Sequence, residues 1–530
     1  MRREPLVGAM LRAVLLAVMC AFACGAGARA QSTDPLSVPA PGPYIAPRQS
    51  SFATPKGFTS SDRIVATYYF YWYDSQTKAH IVDADGSDAL TDHPSSLKDF
   101  TWRSKIWHRY QMTDMIEAGI DVVLPVFWDD NTNFEWATQG LAQLSEALGE
   151  LKTENRSIPL VGMFYDTSSL AAEGELKKSG ERPDLTTSFG KALFYKAIRD
   201  FFSMVPPDLW ATIDGRPIVW LYSSTFASKY DRSTLDFART QFAHDFGGKD
   251  LYIVREVSWD VPSESMYAWG GALAPKLYDV ASIGPGYDHS AVEGREPLVK
   301  DREGGAFYRS SWDRVMRAEP NIVAIETWNE FHEGTDIAES KEYGRKYIET
   351  TAGLAKTFKT GGRLPPIMGQ YSFADSVSIE CDDPIKCKGI KLVQPPDGRV
   401  RTTRLDGRAC LEPVDNPFGD TKYIYFDVDD SFGGGDPLDA EVTVVANDLG
   451  RGQARIDYDS TDKTAAMGGA YKPTGVMSAG GTGGWKVFRV RLDGARLLGR
   501  ENGGADFRIA VLKGPYYLRS VEIRRAKKTQ

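Results

Sequence analysis

Residues 322–340 read IVAIETWNEFHEGTDIAES, and the fold is decided there. Ile322, Val323, Ala324 and Ile325 form a short, mostly β-branched apolar run, as a strand buried on both faces requires. Polarity changes at Glu326. Trp328, Asn329, Glu330, Phe331, His332 and Glu333 follow within a few positions, then Gly334 and a helix-period segment. A buried strand that ends in carboxylates and aromatics and gives way to a helix is how an α/β barrel brings reactive groups to its open face. Two acids three residues apart beside a Trp suit sugar chemistry, because one can stay ionised while the other, in a more apolar setting, keeps its proton. A solvated acidic loop or a helix N-terminus would also collect Glu326, Glu330 and Glu333. It would not interleave them with Trp328, Phe331 and His332.

Working outward, continuous apolar runs recur at 64–72 (IVATYYFYW), 121–128 (DVVLPVFW), 159–165 (PLVGMFY), 217–222 (PIVWLY), 251–259 (LYIVREVSW), 280–283 and a short 266–269. Helix-period segments lie between most of them, at 105–118, 134–150, 190–204, 233–246, 308–318 and 341–358. This alternation predicts an α/β fold, a (β/α)8 TIM barrel over residues 63–360. The sixth strand is the weakest member, since almost nothing helical separates it from the seventh. An open doubly wound sheet would want a Gly-rich phosphate turn after the first strand, and none is present.

In such a barrel the C-terminal strand ends converge on one cup. Here they carry Tyr71 and Trp72, then Trp128 and Asp129, Tyr165 and Asp166, Tyr222, Arg255 with Glu256 and Trp259, and Asp288. Aromatics beside carboxylates match sugar recognition, a ring packing on the apolar C–H face and acids binding hydroxyls. The expected site has Glu330 and Glu333 as catalytic carboxylates. Trp328, Asn329, His332, Arg255, Glu256, Trp259, Tyr71, Asp129, Tyr222 and Asp288 are expected to bind substrate. The partner of Glu330 is either the local Glu333, the economical choice, or an acid from an earlier strand: Glu256, Asp288 or Asp166.

The 530 residues, 42% hydrophobic and 12% aromatic, allow one large core and a second domain. Residues 1–30 read as a cleavable export leader: Arg2, Arg3 and Arg12 flank an apolar run that is too short to span a bilayer, and Ala28-Arg29-Ala30 is a small-residue cleavage site. A lipoprotein anchor at Cys24 is the weaker match. Cleavage after Ala30 predicts a secreted or periplasmic protein with no membrane span. It changes the formal charge from −8 to −11, which disfavours nucleic acid. Export permits one disulfide among Cys381, Cys387 and Cys410, most simply Cys381–Cys387, with one thiol over; the spacing has no zinc pattern.

Residues 31–62, rich in Pro, Ser and Ala, read as an extended arm, and 361–372, opening with GGRLPP, as a linker. From 373 to 530 the texture turns to short alternating runs between Gly- and Asp-rich turns. That predicts an all-β sandwich with a binding or stabilising role. Asp427, Asp429 and Asp430 could supply oxygen ligands to a structural Ca2+, or simply form an exposed turn; no other cofactor is expected. A Ser-His-Asp hydrolase lacks its Gly-x-Ser-x-Gly elbow, and no His set has zinc spacing.

The run Trp328-Asn329-Glu330-Phe331-His332-Glu333-Gly334-Thr335 resembles the Asn-Glu-Trp-His-Glu-Gly-Thr pattern of glycoside hydrolase family 99, the endo-α-mannanases and endomannosidases. The likeness extends over the barrel, and is specific in about eight residues of it. It implies a retaining α-glycosidase in which the first Glu, here Glu330, deprotonates the sugar's own 2-hydroxyl to give a 1,2-anhydro sugar. The second, here Glu333, serves as acid and then as base. Phe331 replaces the family's Trp and Asp336 its Gln, so the mannan substrate does not carry over with the carboxylates. Trp485-Lys486-Val487 and residues 502–509 (NGGADFRI) resemble the galactose-binding-like sandwiches appended to many glycosidases. The whole implies a monomeric hydrolase of a poly- or oligosaccharide, or alternatively a glycan-binding or envelope scaffold protein on such a barrel.

Overall fold

The structure is a computed structural model and describes residues 34–45, 57–129, 135–172, 180–362 and 364–526. The proposed leader lies outside them, as do parts of the 31–62 arm. The chain folds into two compact units. One holds the described residues up to Lys276 with Val280–Trp312 and Asn321–Gly361; the other holds Leu277–Asp279, Asp313–Pro320 and the described residues from Gly362 onward.

The first unit is a nearly closed parallel barrel. Its strands are β1 (Ile64–Tyr69), β2 (Val122–Phe127), β3 (Met163–Tyr165), β4 (Arg216–Leu221), β5 (Tyr252–Glu256), β6 (Ser265–Tyr267), β7 (Val280–Ile283) and β8 (Ile322–Ile325). They lie in the order β6-β5-β4-β3-β2-β1-β8-β7, every neighbour parallel. Ile64 to Thr67 pair in register with Ile322 to Ile325, so the last strand closes on the first. The helices are α1 (Lys105–Ala118), α2 (Glu135–Thr153), α3 (Ser188–Met204), α4 (Arg232–Asp245), α5 (Ala306–Ala318, within this unit up to Trp312) and α6 (Lys346–Thr360).

Local chemistry sets these limits. Ser104 caps α1 through the Trp107 amide, and Gly119, at φ 76°, ends it in the left-handed conformation that a Cβ disfavours. Lys359 on α6 donates to the Gly119 carbonyl and to Asp121 at 2.6 Å, and Asp121 accepts the Val65 amide. That ties the last helix to the N-terminal end of the barrel. The alternation fails where the sequence is weakest: β5, β6 and β7 follow one another without an intervening α-helix.

Inside the barrel, Tyr68 is the hub of a ring cluster. Its centroid lies 4.8 Å from Phe164, 4.9 Å from Trp269 and 6.3 Å from Trp220. This interior is packed, as in other parallel barrels. In the arm, Arg199 on α3 holds the Val38 carbonyl at 2.9 Å, and the Tyr44 amide donates to Ser203.

From Gly362 onward the second unit is built on β-strands. One antiparallel sheet runs Lys386–Lys388, Ser376–Glu380, Leu518–Arg525, Arg408–Pro413, Val400–Leu405, with Leu438–Asn447 joining it to Trp485–Ala495. The other runs Ile390–Val393, Lys422–Val428, Phe507–Lys513, Gln453–Tyr458, Lys472–Pro473. Alternate inward residues such as Val377, Ile379, Phe426, Val442 and Ile509 form one core, as a sandwich requires.

The expected disulfide is corrected. Cys381, Cys387 and Cys410 are all free thiols. In the antiparallel register Cys387 faces Ile379, two residues short of Cys381, and it is exposed while Cys381 is buried. Asp429 caps the Asp430–Gly433 turn through Ser431. Among the described residues no group of three His, Cys, Asp or Glu side chains could hold a metal. None of the described helices is long and apolar enough to cross a membrane.

Candidate active site

After β8 the chain makes a tight loop that is held from every side. The Glu330 amide donates to Thr327 Oγ1 at 2.8 Å, and Thr91 and Asp92 donate their amides to the Phe331 carbonyl. The Asp288 amide donates to the Glu333 carbonyl at 2.8 Å, and Gly334 turns the chain at φ 52°. Beneath the loop, buried Arg302 donates to Asp336 Oδ1 at 3.0 Å, Asp92 Oδ2 at 2.8 Å and the Gly334 carbonyl, its guanidinium lying over Tyr343.

This frame aims three side chains at a cavity of about 320 Å³ beyond the C-terminal strand ends: Glu330, His332 and Glu333. Two aromatic walls face them. Phe70 and Trp72 follow β1, their rings 5.0 Å apart, and Trp72 lies 6.0 Å from the His332 ring. Opposite, Phe164, Tyr222, Phe226 and Trp269 form a contiguous surface, with Trp269 5.7 Å from Phe164 and 5.4 Å from Tyr222. Trp128, Asp166, Ser168, Val292 and Arg295 complete the lining.

The two glutamates occupy different settings. Glu330 is 4% exposed. Its Oε1 lies 2.6 Å from His332 Nδ1, while Oε2 has no hydrogen-bond partner among the described residues. Burial pushes its carboxyl above the usual range, the neighbouring imidazolium offsetting part of that. For His332 burial works the other way, but the Glu330 carboxylate outweighs it and raises the imidazole. Tyr73 stacks on His332 at 5.4 Å and fixes its plane. Glu333 is more open, its Oε1 ion-paired at 2.7 Å with Arg295. Burial also raises Asp166, against hydrogen bonds from Ser168 and Trp128. One carboxylate thus offers a free, desolvated oxygen and its neighbour a cation-paired one, an arrangement suited to two different proton transfers.

Of the expected site residues, the cavity gathers Glu330, Glu333, His332 and Tyr222. The others have structural partners. Trp328 is buried and donates to Gln111 at 2.6 Å. Asn329 pairs both its amide groups with the Phe70 backbone, so it positions the strand end that carries the wall. Tyr71 donates to the Ala137 carbonyl, and Asp129 is ion-paired with Lys196 at 2.8 Å. Arg255 donates to the Trp259 carbonyl, and Trp259, 1% exposed, packs against Phe194 on α3. Glu256 accepts the Ser258 amide, and Asp288 the Ser290 amide. None of these lines the cavity.

Six lining residues stood outside every expectation: Phe70, Phe164, Ser168, Phe226, Val292 and Arg295. Trp269 fell in the weak sixth run. Strand parity could have found Phe164 and Phe70, since both share the inward face with Tyr68. Arg295 carries no signal, because it sits on a loop without periodicity.

An aromatic cup with two carboxylates thus stands at the end of β8 of a parallel barrel. Residues 49–359 match the family described as Domain of unknown function (DUF5010), and the chain belongs to that family. Two curated relatives are named Glycoprotein endo-alpha-1,2-mannosidase-like protein. The one from Danio rerio is 35% identical over 77 residues, 14% of this chain and 17% of its own length; the one from Homo sapiens is 35% identical over 65 residues, 12% and 14%. The chain therefore spans under a fifth of the curated relatives it matches. Among solved structures, the GH99 endo-alpha-mannosidase from Bacteroides thetaiotaomicron superposes with a TM-score of 0.41 at 15% identity, covering 58% of this chain and 100% of that one. The C-terminal CBM6 of LamC from Zobellia galactanivorans gives 0.17 at 12% identity, covering 28% and 98%. The two curated names are those of the mannosidase group that the 328–335 run resembles.

Proposed function

We propose that this protein is an exported glycoside hydrolase acting on a poly- or oligosaccharide with retention of configuration. The observation that carries the reading is that Glu330 and Glu333 line the same aromatic-walled cavity, the first with a free buried oxygen. In the first step Glu330 Oε2 takes the proton of the sugar 2-hydroxyl, O2 bonds to C1, and the bond from C1 to the leaving oxygen breaks as Glu333 delivers its proton there. In the second step water attacks C1 and gives a proton to Glu333; the C1–O2 bond opens, and Glu330 returns its proton to O2. Neither carboxylate attacks C1, so the opposed pair about 5 Å apart that other retaining enzymes use is not required. The aromatic walls supply ring-face packing, and Asp166 and Tyr222 supply hydroxyl partners.

The test is reducing-end release from a panel of purified α- and β-glycans by wild type, Glu330→Gln and Glu333→Gln. Wild-type activity lost in both variants supports the reading. Binding without cleavage by wild type would leave a glycan-binding barrel. Export is tested separately, by N-terminal sequencing of protein recovered outside the cytoplasm for a start at Gln31.

A further inference from the structure

A groove of about 650 Å³ runs along one edge of the sandwich, wholly within the second unit. Strand Trp485–Ala495 forms one side of it. Among the described residues that strand pairs only with Leu438–Asn447, so its other edge is open. Strand Lys472–Pro473 and the turn to Met477–Ser478, from the opposite sheet, form the other side. Phe488 and Val490 pack against the sandwich core, and with Tyr458 and Met477 they give the groove an apolar base. Four cations line it, Lys472, Lys486, Arg489 and Arg491, against one acid, Asp493. The chain as a whole carries a formal charge of −8, so this balance runs against its composition. None of the four is firmly neutralised. Lys486 donates to the Ser478 carbonyl at 3.1 Å and forms no salt bridge among the described residues. Arg489 reaches Glu441 only at 3.9 Å. Lys472 stands 3.4 Å from Asp462, and Arg491 pairs with Asp439 and Asp493 where all three side chains are exposed. Exposed pairs of this kind hold weakly and yield to a competing anion.

We propose that this groove binds an acidic polysaccharide, whose carboxylate or sulfate groups meet Lys472, Lys486, Arg489 and Arg491 while its sugar rings lie on the apolar base. The shape and the chemistry select that ligand. A groove between two sheets admits a chain and excludes a planar lipid surface. An apolar base flanked by cations fits a polymer whose rings offer C–H faces and whose charges recur along its length. Duplex nucleic acid would meet only four cations on a protein of net negative charge, too few to hold it against that repulsion. Charged side chains also guard open sheet edges against pairing with another chain. That role accounts for Arg489 and Arg491, but not for Val476, which lines the groove and is 51% exposed. It also predicts self-association once the cations are removed. The choice of a sugar polymer draws on the proposed function, but the groove requires nothing of Glu330 or Glu333.

The experiment is titration calorimetry on the full chain carrying Glu330→Gln, so that no probe is consumed. The probes are polygalacturonate, its methyl ester, dextran sulfate, plain dextran, duplex DNA and phosphatidylglycerol vesicles. Polygalacturonate or dextran sulfate should bind, the tighter of the two telling carboxylate from sulfate, and binding should weaken with added salt. The methyl ester and plain dextran, which keep the backbones and lack the charge, should bind about tenfold more weakly or not at all. Lys486→Gln/Arg489→Gln should weaken binding about tenfold, each change alone about two- to fivefold. Lys486→Arg/Arg489→Lys, which keeps both charges, should bind as the parent does. Lys388→Gln/Arg404→Gln removes the same charge from exposed positions of the sandwich outside the groove and should cost less than about twofold. Equal weakening in the two Gln doubles would show net charge alone at work and overturn the proposal. Binding of neither acidic glycan, or of DNA or vesicles as tightly, would also overturn it. So would a groove double that keeps its affinity and self-associates on gel filtration, the result expected of an edge guard. Acidic-glycan binding by a wild-type protein that releases no reducing ends would uphold the groove and sink the hydrolase reading instead.

Discussion

Nδ1 of His332 lies 2.6 Å from Oε1 of Glu330, and Oε2 of the same carboxylate is buried without a partner among the described residues. One oxygen is clamped by the imidazole, and the other is left without a donor. A buried carboxylate oxygen left without a donor carries a desolvation cost of about 1–3 kcal/mol or more for a charged group. A hydroxyl arriving from the cavity would relieve it. Glu330→Gln keeps the shape and removes the base. Turnover should fall about 10²–10⁴-fold with the melting temperature nearly unchanged, as reducing-end release and calorimetry would read. A loss confined to KM would contradict the assignment.

The same pair sets the acid limb of activity. A base works only when ionised, and burial holds the Glu330 carboxyl above its ordinary value, so activity is lost as pH falls through that raised value. The His332 cation pulls the limb down. His332→Ala should therefore move the acid limb of kcat/KM to higher pH, which a pH–rate profile detects; a limb moving downward would refute the pairing.

Glu326 offers a test of stability rather than rate. Its Oε2 accepts the Gly270 amide at 3.0 Å, and burial raises its carboxyl to about 8. The folded protein keeps that proton where the unfolded chain, near 4.5, has lost it. The stabilisation is therefore fully present below pH 4.5, is lost as pH rises, and is gone above about 8. Glu326→Gln lacks this dependence. Relative to wild type, its melting temperature should rise steadily from pH 5 to pH 8, and a constant difference across that range would count against a buried neutral acid.

Arg302 is a buried cation between Asp92 and Asp336. Removing it leaves two buried carboxylates facing each other beneath the loop that carries Glu330 and Glu333. Arg302→Met should cost about 3–5 kcal/mol in denaturant unfolding, and adding Asp336→Asn should recover part of it. Additive losses in the double variant would show that the triad is not coupled.

Much of the barrel was legible because buried parallel strands need unbroken apolar runs: β1, β2 and β8 stand where IVATYY, VVLPVF and IVAI stand. The missing helices around β6 were foreshadowed by the absence of a helical period there. The loop at 328–333 was legible for another reason: its six chemically distinctive residues are consecutive, and local spacing survives folding. The cup was not. Tyr71 and Asp129 are the sequence neighbours of Trp72 and Trp128, yet Tyr71 donates to the Ala137 carbonyl on α2 and Asp129 pairs with Lys196 on α3, while Trp72 and Trp128 line the cavity. A shift of one residue reverses the face a side chain takes on a strand, and composition at a strand end carries no record of it.

By itself the sequence determined a barrel followed by a sandwich and a loop bearing two glutamates, since these follow from hydrophobic period and near-neighbour spacing. Only the tertiary structure decided which aromatics wall the cup, that the three cysteines stay apart, and that Arg295, 38 positions before Glu333, is its cation. Those outcomes depend on contacts between distant segments, which come into being only once the chain has closed on itself.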